Sequence, residues 1–453
     1  MKSKLTIIFL LLLLIASGLA ACSPGHVGGN EIAFVRDGHI WTIDPDGANA
    51  YEIVSQNTPV VGYSWSPNHH ILSFRTLDES FAKTAAAKHL SSNPITQLPG
   101  DVPSTLNTIG IDGGSSIPIL FSDSSTAYSN AWWVVDSNHL LYREESVSPP
   151  PYPDSVLWWI AQSDQPGGIA RKLLPGSFSI PSLSVKNNMA IGNSKAGLFT
   201  VTLSGTNLQY LTHGPLPGHP LPATLERVLW QPAQPHPAIL YAIAPTSQAF
   251  NAPPDTVQLV LRSPNGHTTT LTTCTCTQFA WSPDGRHILY SSGTTYTVLN
   301  MDGSLFYSFS AEADSVPYWS PDGQFLLLDG LHTLLLAKPG SKQSRILLSD
   351  GSRPGSPANT GNSSAGVSTT GSINALLQPA SNSPWAADSR HFLFLTRGRL
   401  LWQGKVLRSG RGLYTVTIDE QGNVQGTPAL VDNGNDIQAG WSYENPDTSF
   451  LLQ

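Results

Sequence analysis

Between residues 31 and 453 the chain alternates short apolar runs with turn residues, and no stretch sustains the three-to-four-residue spacing of an amphipathic helix. Phe279–Ser291 is the clearest unit. An apolar strand ends at Trp281, Ser282-Pro283-Asp284-Gly285 makes a turn, and a second apolar strand follows. Proline presets φ for the second turn position, and glycine suits the fourth. Trp319-Ser320-Pro321-Asp322-Gly323 and Trp65-Ser66-Pro67-Asn68 repeat the pattern in register, as do Trp133 with Asp136 and Trp385 with Asp388. Trp230 and Trp441 anchor versions with one and two extra residues, and Leu183 marks a copy without tryptophan.

Each unit has a second half, an apolar run leading into a glycine turn: His39–Asp44 before Pro45-Asp46-Gly47, Thr295–Asn300 before Asp302-Gly303, Leu413–Ile418 before Gln421-Gly422. Four strands per unit at an internal period near 40 to 50 residues is the pattern of a propeller blade. The eight anchors, 65, 133, 183, 230, 281, 319, 385 and 441, predict an all-β propeller of eight four-stranded blades, with seven as the alternative count. Ile32–Val35 opens the chain without an anchor and Trp441 closes it without a second half. Pairing of the terminal strands is therefore expected to close the ring and leave no open edge. Phe450–Leu452 also reads as a second strand, one too many for that blade.

The WSPDG repeats resemble those of the TolB-type β-propeller lipoproteins. The resemblance covers residues 31–453 and implies a propeller that is often a binding scaffold rather than an enzyme. Its residues are turn and packing residues, so it names no ligand. The anchor tryptophans read first as core packing, and the repeated aspartates as turn formers whose side chains bond nearby amides. His70, His139, His287 and His391 recur at equivalent positions, which fits a turn role better than convergence on one active site.

The first 21 residues read as a cleaved leader: Lys2 and Lys4, an apolar run over Leu5–Ile15, then Leu19-Ala20-Ala21-Cys22. They resemble a bacterial lipoprotein signal, which implies lipidation of Cys22, residues 22–30 as a short tether, and a protein held on the extracytoplasmic side of the cell membrane. Each buried methylene of an acyl chain contributes about 0.8 kcal/mol to such anchoring. Cys274 and Cys276 either pair or stay buried thiols. A metal would need further ligands, and none stands nearby in sequence.

A net charge of −7 with only 12% charged residues argues against a nucleic-acid surface. No G-x-S-x-G nucleophile elbow or cofactor motif occurs. The expected partner is a protein or cell-envelope component met by a monomer. The alternatives are a sensory lipoprotein with a membrane receptor, or a hydrolase or lyase acting on an envelope glycan or peptide. In a four-stranded meander, turns between first and second strands and between third and fourth share one face, and these are short. The longer connections, Thr76–Thr105, Glu144–Asp154, His213–Thr224, Ala242–Asp255, Ser349–Ser383 and Arg397–Arg411, gather on the other. That face is the expected binding face. Its candidate residues are Tyr152, within a polyproline stretch, and Arg397, Arg399, Lys405, Arg408 and Arg411 in a basic loop without an acid. Ser349–Ser383, rich in serine and glycine, reads as a flexible insertion.

Overall fold

A computed structural model describes residues 30–442 except 56, 84–101, 147–155, 168–169, 177, 185, 213–227, 244–255, 331, 353–376, 382 and 434–438. The protein is an all-β propeller. Its described strands group into eight four-stranded antiparallel units, numbered here as blades from the N-terminus, and a further strand, Thr126–Tyr128, pairs with both Val102–Gly110 and His139–Ser146 and joins blades 2 and 3 into one nine-stranded sheet. Blade 1 takes its first strand from the far end of the chain: Ala439–Trp441 pairs with Ile32–Arg36, placing Ile32 opposite Trp441. His39–Ile43 and Tyr51–Val54 complete it. Ile32–Arg36 thus fills the second-strand place, while Phe450–Leu452 lies outside the described residues.

Every sequence anchor stands at or just beyond the end of a first strand. Val60–Trp65, Trp132–Trp133, Val228–Trp230, Gln278–Trp281 and Val316–Trp319 end on the tryptophan. In blade 4 Leu183 takes that place in Ser179–Ser184. Trp385 follows the first strand of blade 8 and bridges to Phe392. Four indoles share one bond. Trp133, Trp281, Trp385 and Trp441 donate to the carbonyls of Ser64, Leu229, Tyr318 and Pro384. Each acceptor immediately precedes the anchor of the preceding blade. Four of the anchors therefore fix the offset between neighbouring sheets as well as filling the space between them. Trp65, Trp230 and Trp319 are the remaining anchor tryptophans, and their buried indole nitrogens have no such partner.

The short turns are held by their own side chains. Ser282 Oγ donates to Asp284, which also accepts the amide of Arg286, and the amide of His287 donates to Ser282 Oγ. Ser320 with Asp322 and Ser66 with Asn68 repeat the arrangement. Gly285 has φ +65°, and a Cβ there would lie 2.4 Å from the carbonyl oxygen of Pro232, in the turn of the blade beside it. Only glycine allows both the left-handed turn and that approach.

Two expectations need correction. Residues 397–411 are not a loop. Arg399–Trp402 and Lys405–Ser409 form a β-hairpin that adds to the outer edge of blade 7 through the pair Ser349–Leu401. The insertion read over 349–383 is also too wide: Arg345–Ser349 is the last strand of blade 7, and Leu377–Pro379 is the first strand of blade 8, paired with His391–Thr396. Proline in Leu377–Pro379 and the polar residues before it hid the strand. Cys274 and Cys276 are joined by a disulfide where blade 5 passes into blade 6. Among the described residues, no helix is long and apolar enough to cross a membrane.

Candidate functional site

The hairpin and the end of blade 7 that it covers make the most chemically distinct corner of the long-loop face. Arg399 and Ser409 stand opposite one another across the hairpin, as do Leu400 and Arg408, and Trp402 and Lys405. Leu400 is buried, and the half-buried Arg408 on the same side of the ribbon lies close enough to the Tyr414 phenol to act on it. Burial raises the Tyr414 pKa, and the Arg408 charge opposes that rise. Arg399 and Lys405 are exposed, together with Val406 and Leu407. Arg397 and Arg411 meet at the base. Burial first, and then the Arg411 charge, lower the Arg397 guanidinium from its ordinary value. Of the five basic candidates, Arg397 and Arg408 are thus half-buried, whereas Arg399, Lys405 and Arg411 are exposed. Tyr152 lies outside the described residues.

Next to the strand end that the hairpin joins is a polar cluster that the sequence reading missed. Three places supply it: Glu312 from the passage between blades 6 and 7, Asp329, His332 and Thr333 from the second turn of blade 7 and the strand ends that flank it, and Asp350 from the start of the passage to blade 8. Thr333 Oγ1 donates to Glu312 Oε2 at 2.6 Å, and His332 Nδ1 lies 2.7 Å from Asp350 Oδ2. The Asp350 carboxylate also accepts the amide of Ser352. A Cβ on Gly330 would lie 2.5 Å from Glu312 Oε2, so the glycine lets the glutamate close over the turn. Asp329 is buried, and its Oδ1 has no hydrogen-bond partner. Burial, reinforced by the charge of Glu312, pushes its carboxyl well above the usual range. The available signal was the interruption of the apolar run Phe325–Ala337 by Asp329 and His332.

The short-turn face has the opposite character. Burial alone would raise Asp388, but hydrogen bonds from His391 and from the amides of Arg390 and His391 overcome it and hold the group at about 2. His139 pairs with Asp136 in the same way, while His287 stacks on Phe306 and the amide of His70 is held by Asn68. These carboxylates and imidazoles are engaged in local structure. Among the described residues, no group of three or more His, Cys, Asp or Glu side chains is placed to hold a metal ion.

No protein-family model matches the sequence, and no curated protein matches it. Among solved structures it is similar to TolB from Acinetobacter baumannii, at 13% identity over 64% of this chain and 66% of that one, with a TM-score of 0.31. It is also similar to an oligogalacturonate lyase from Vibrio parahaemolyticus, at 10% identity over 72% and 93% of the two chains, TM-score 0.41. A eukaryotic initiation factor gives 10% identity over 91% and 98%, TM-score 0.47. At such identities the chemistry has to be read from this chain's own residues.

Proposed function

We propose that this chain is a lipid-anchored, extracytoplasmic propeller of TolB type that acts as a non-enzymatic scaffold. It binds an acidic protein or cell-envelope component through the long-loop face. The observation that supports this reading most is the hairpin at 399–409. It presents Arg399 and Lys405 beside Val406 and Leu407, with no acid between 397 and 411. Exposed charge attracts an acidic partner, and adjacent apolar side chains give it something to bury.

The test is capture from detergent-solubilised envelope by the full chain, with Arg399→Glu/Lys405→Glu as the control. A component retained by the wild type, weakened by added salt and lost by the variant is the expected result. Turnover of an envelope glycan or peptide by the purified protein would overturn the scaffold reading.

A further inference from the structure

The position at which the N-terminal segment leaves the fold bears on how the molecule stands at the membrane. Ser442 follows the anchor Trp441, the place at which other blades begin their short turn. Its amide donates to the Glu31 carbonyl at 2.7 Å, and the Glu31 amide donates back to Ser442 Oγ at 3.3 Å. Asn30 Nδ2 donates to Asp388 Oδ2, the turn aspartate of blade 8. On the other side, His69, in the turn of blade 2, hydrogen-bonds the Ser442 carbonyl. The exit therefore lies between two short turns, on the face opposite the hairpin.

We propose that the lipid on Cys22 ties the propeller to the bilayer by its short-turn face, so that the hairpin at 399–409 is presented outward to an acidic partner that is not lipid. This rests on the reading of Cys22 as the lipidated residue.

Covalent geometry supports the proposal. From Cys22 to Asn30 there are eight Cα steps, which span at most about 29 Å when fully extended. The strand Ile32–Arg36 alone carries the fold about 17 Å from the exit toward the long-loop face. The hairpin begins beyond the corresponding end of its neighbour His391–Thr396. Bringing the hairpin to the lipid would use more than half of that reach, stretched along the side of a blade. Bringing the short turns there uses little of it. The basic edge is thus directed away from headgroups, and its charge is available to an anion reached from outside.

The experiment uses the full lipidated chain in phosphatidylcholine–phosphatidylglycerol vesicles carrying an energy-transfer acceptor on the headgroups. A donor dye is attached at Glu420→Cys, in a short turn of blade 8, or at Gln403→Cys, in the hairpin turn. Both positions are exposed, and Cys274 and Cys276 are already paired. Transfer several-fold stronger from position 420 than from 403 is expected, and Arg399→Glu/Lys405→Glu should leave both values unchanged. Equal or reversed transfer from protein that floats with the vesicles overturns the orientation. A change caused by the charge reversal would place the hairpin on lipid and overturn it as well. Flotation that survives Cys22→Ala would sink the anchoring premise, and it would do so independently of any result from partner capture.

Discussion

Asp388 and Asp329 lie toward opposite ends of neighbouring blades, and their surroundings push them in opposite directions. Asp388 accepts the amides of Arg390 and His391 and pairs with the His391 ring, so its carboxylate is held at about 2. Asp329 is buried beside Glu312, with one oxygen unpartnered, and its pKa is driven up. The short-turn face repeats one solution at several blades because a turn needs the same groups each time. The long-loop face sets that rule aside at one corner. It gathers carboxyls, an imidazole and a basic hairpin where stability alone asks for none of them. Local consistency on one face and its breach on the other distinguish the repeated frame from the candidate site.

The largest expected effect tests the frame. Trp385→Ala removes a buried ring and its bond to the Tyr318 carbonyl, and should lower stability by about 3–5 kcal/mol in denaturant unfolding. Trp319, half-buried and without an indole acceptor, should lose clearly less on the same change. Equal losses would mean that the bonds between blades do not set their offset.

A smaller effect tests the other side. Because folding raises the Asp329 pKa, the folded state holds a proton that the unfolded chain releases above about pH 4, so stability falls as pH rises through that window. Asp329→Asn should recover about 1–3 kcal/mol in thermal unfolding at pH 8, with the gain fading toward pH 4. A gain independent of pH would contradict the buried-acid reading.

Asp388 has the opposite sign and the smallest effect. Its contribution is present above pH 4 and is lost as pH falls through about 2. The group is partly exposed and screened, so Asp388→Asn should cost less than about 1 kcal/mol at neutral pH. The variant should show a flatter acid limb than the parent, and an unchanged limb would leave the short-turn carboxylates without a role in stability.

The frame was legible because each part of it is local. Tryptophan, serine, proline, aspartate and glycine within five residues specify a turn and the ring that precedes it, and repetition supplies the architecture. Even Leu183, without the ring, kept its place by its spacing. The hairpin was obscured because arginines and glycines interrupt its apolar alternation, and its pairing partner Ser349 lies in the preceding blade. The polar cluster was less legible still. Glu312, His332 and Asp350 sit in three separate connections and Asp329 at a strand end, and each is unremarkable until the strands bring them to one corner.

The pairing of Ile32 with Trp441 also has a consequence for biosynthesis. Glu31 and Ser442, which flank that pair, are 411 residues apart in sequence. At about 5–20 residues per second, the ribosome takes roughly 20–80 s to deliver the second partner after the first. Throughout that interval Ile32–Arg36, almost wholly apolar, has no neighbour on one side. Such an open edge invites pairing with other chains, so a holding factor during synthesis would protect this strand above all.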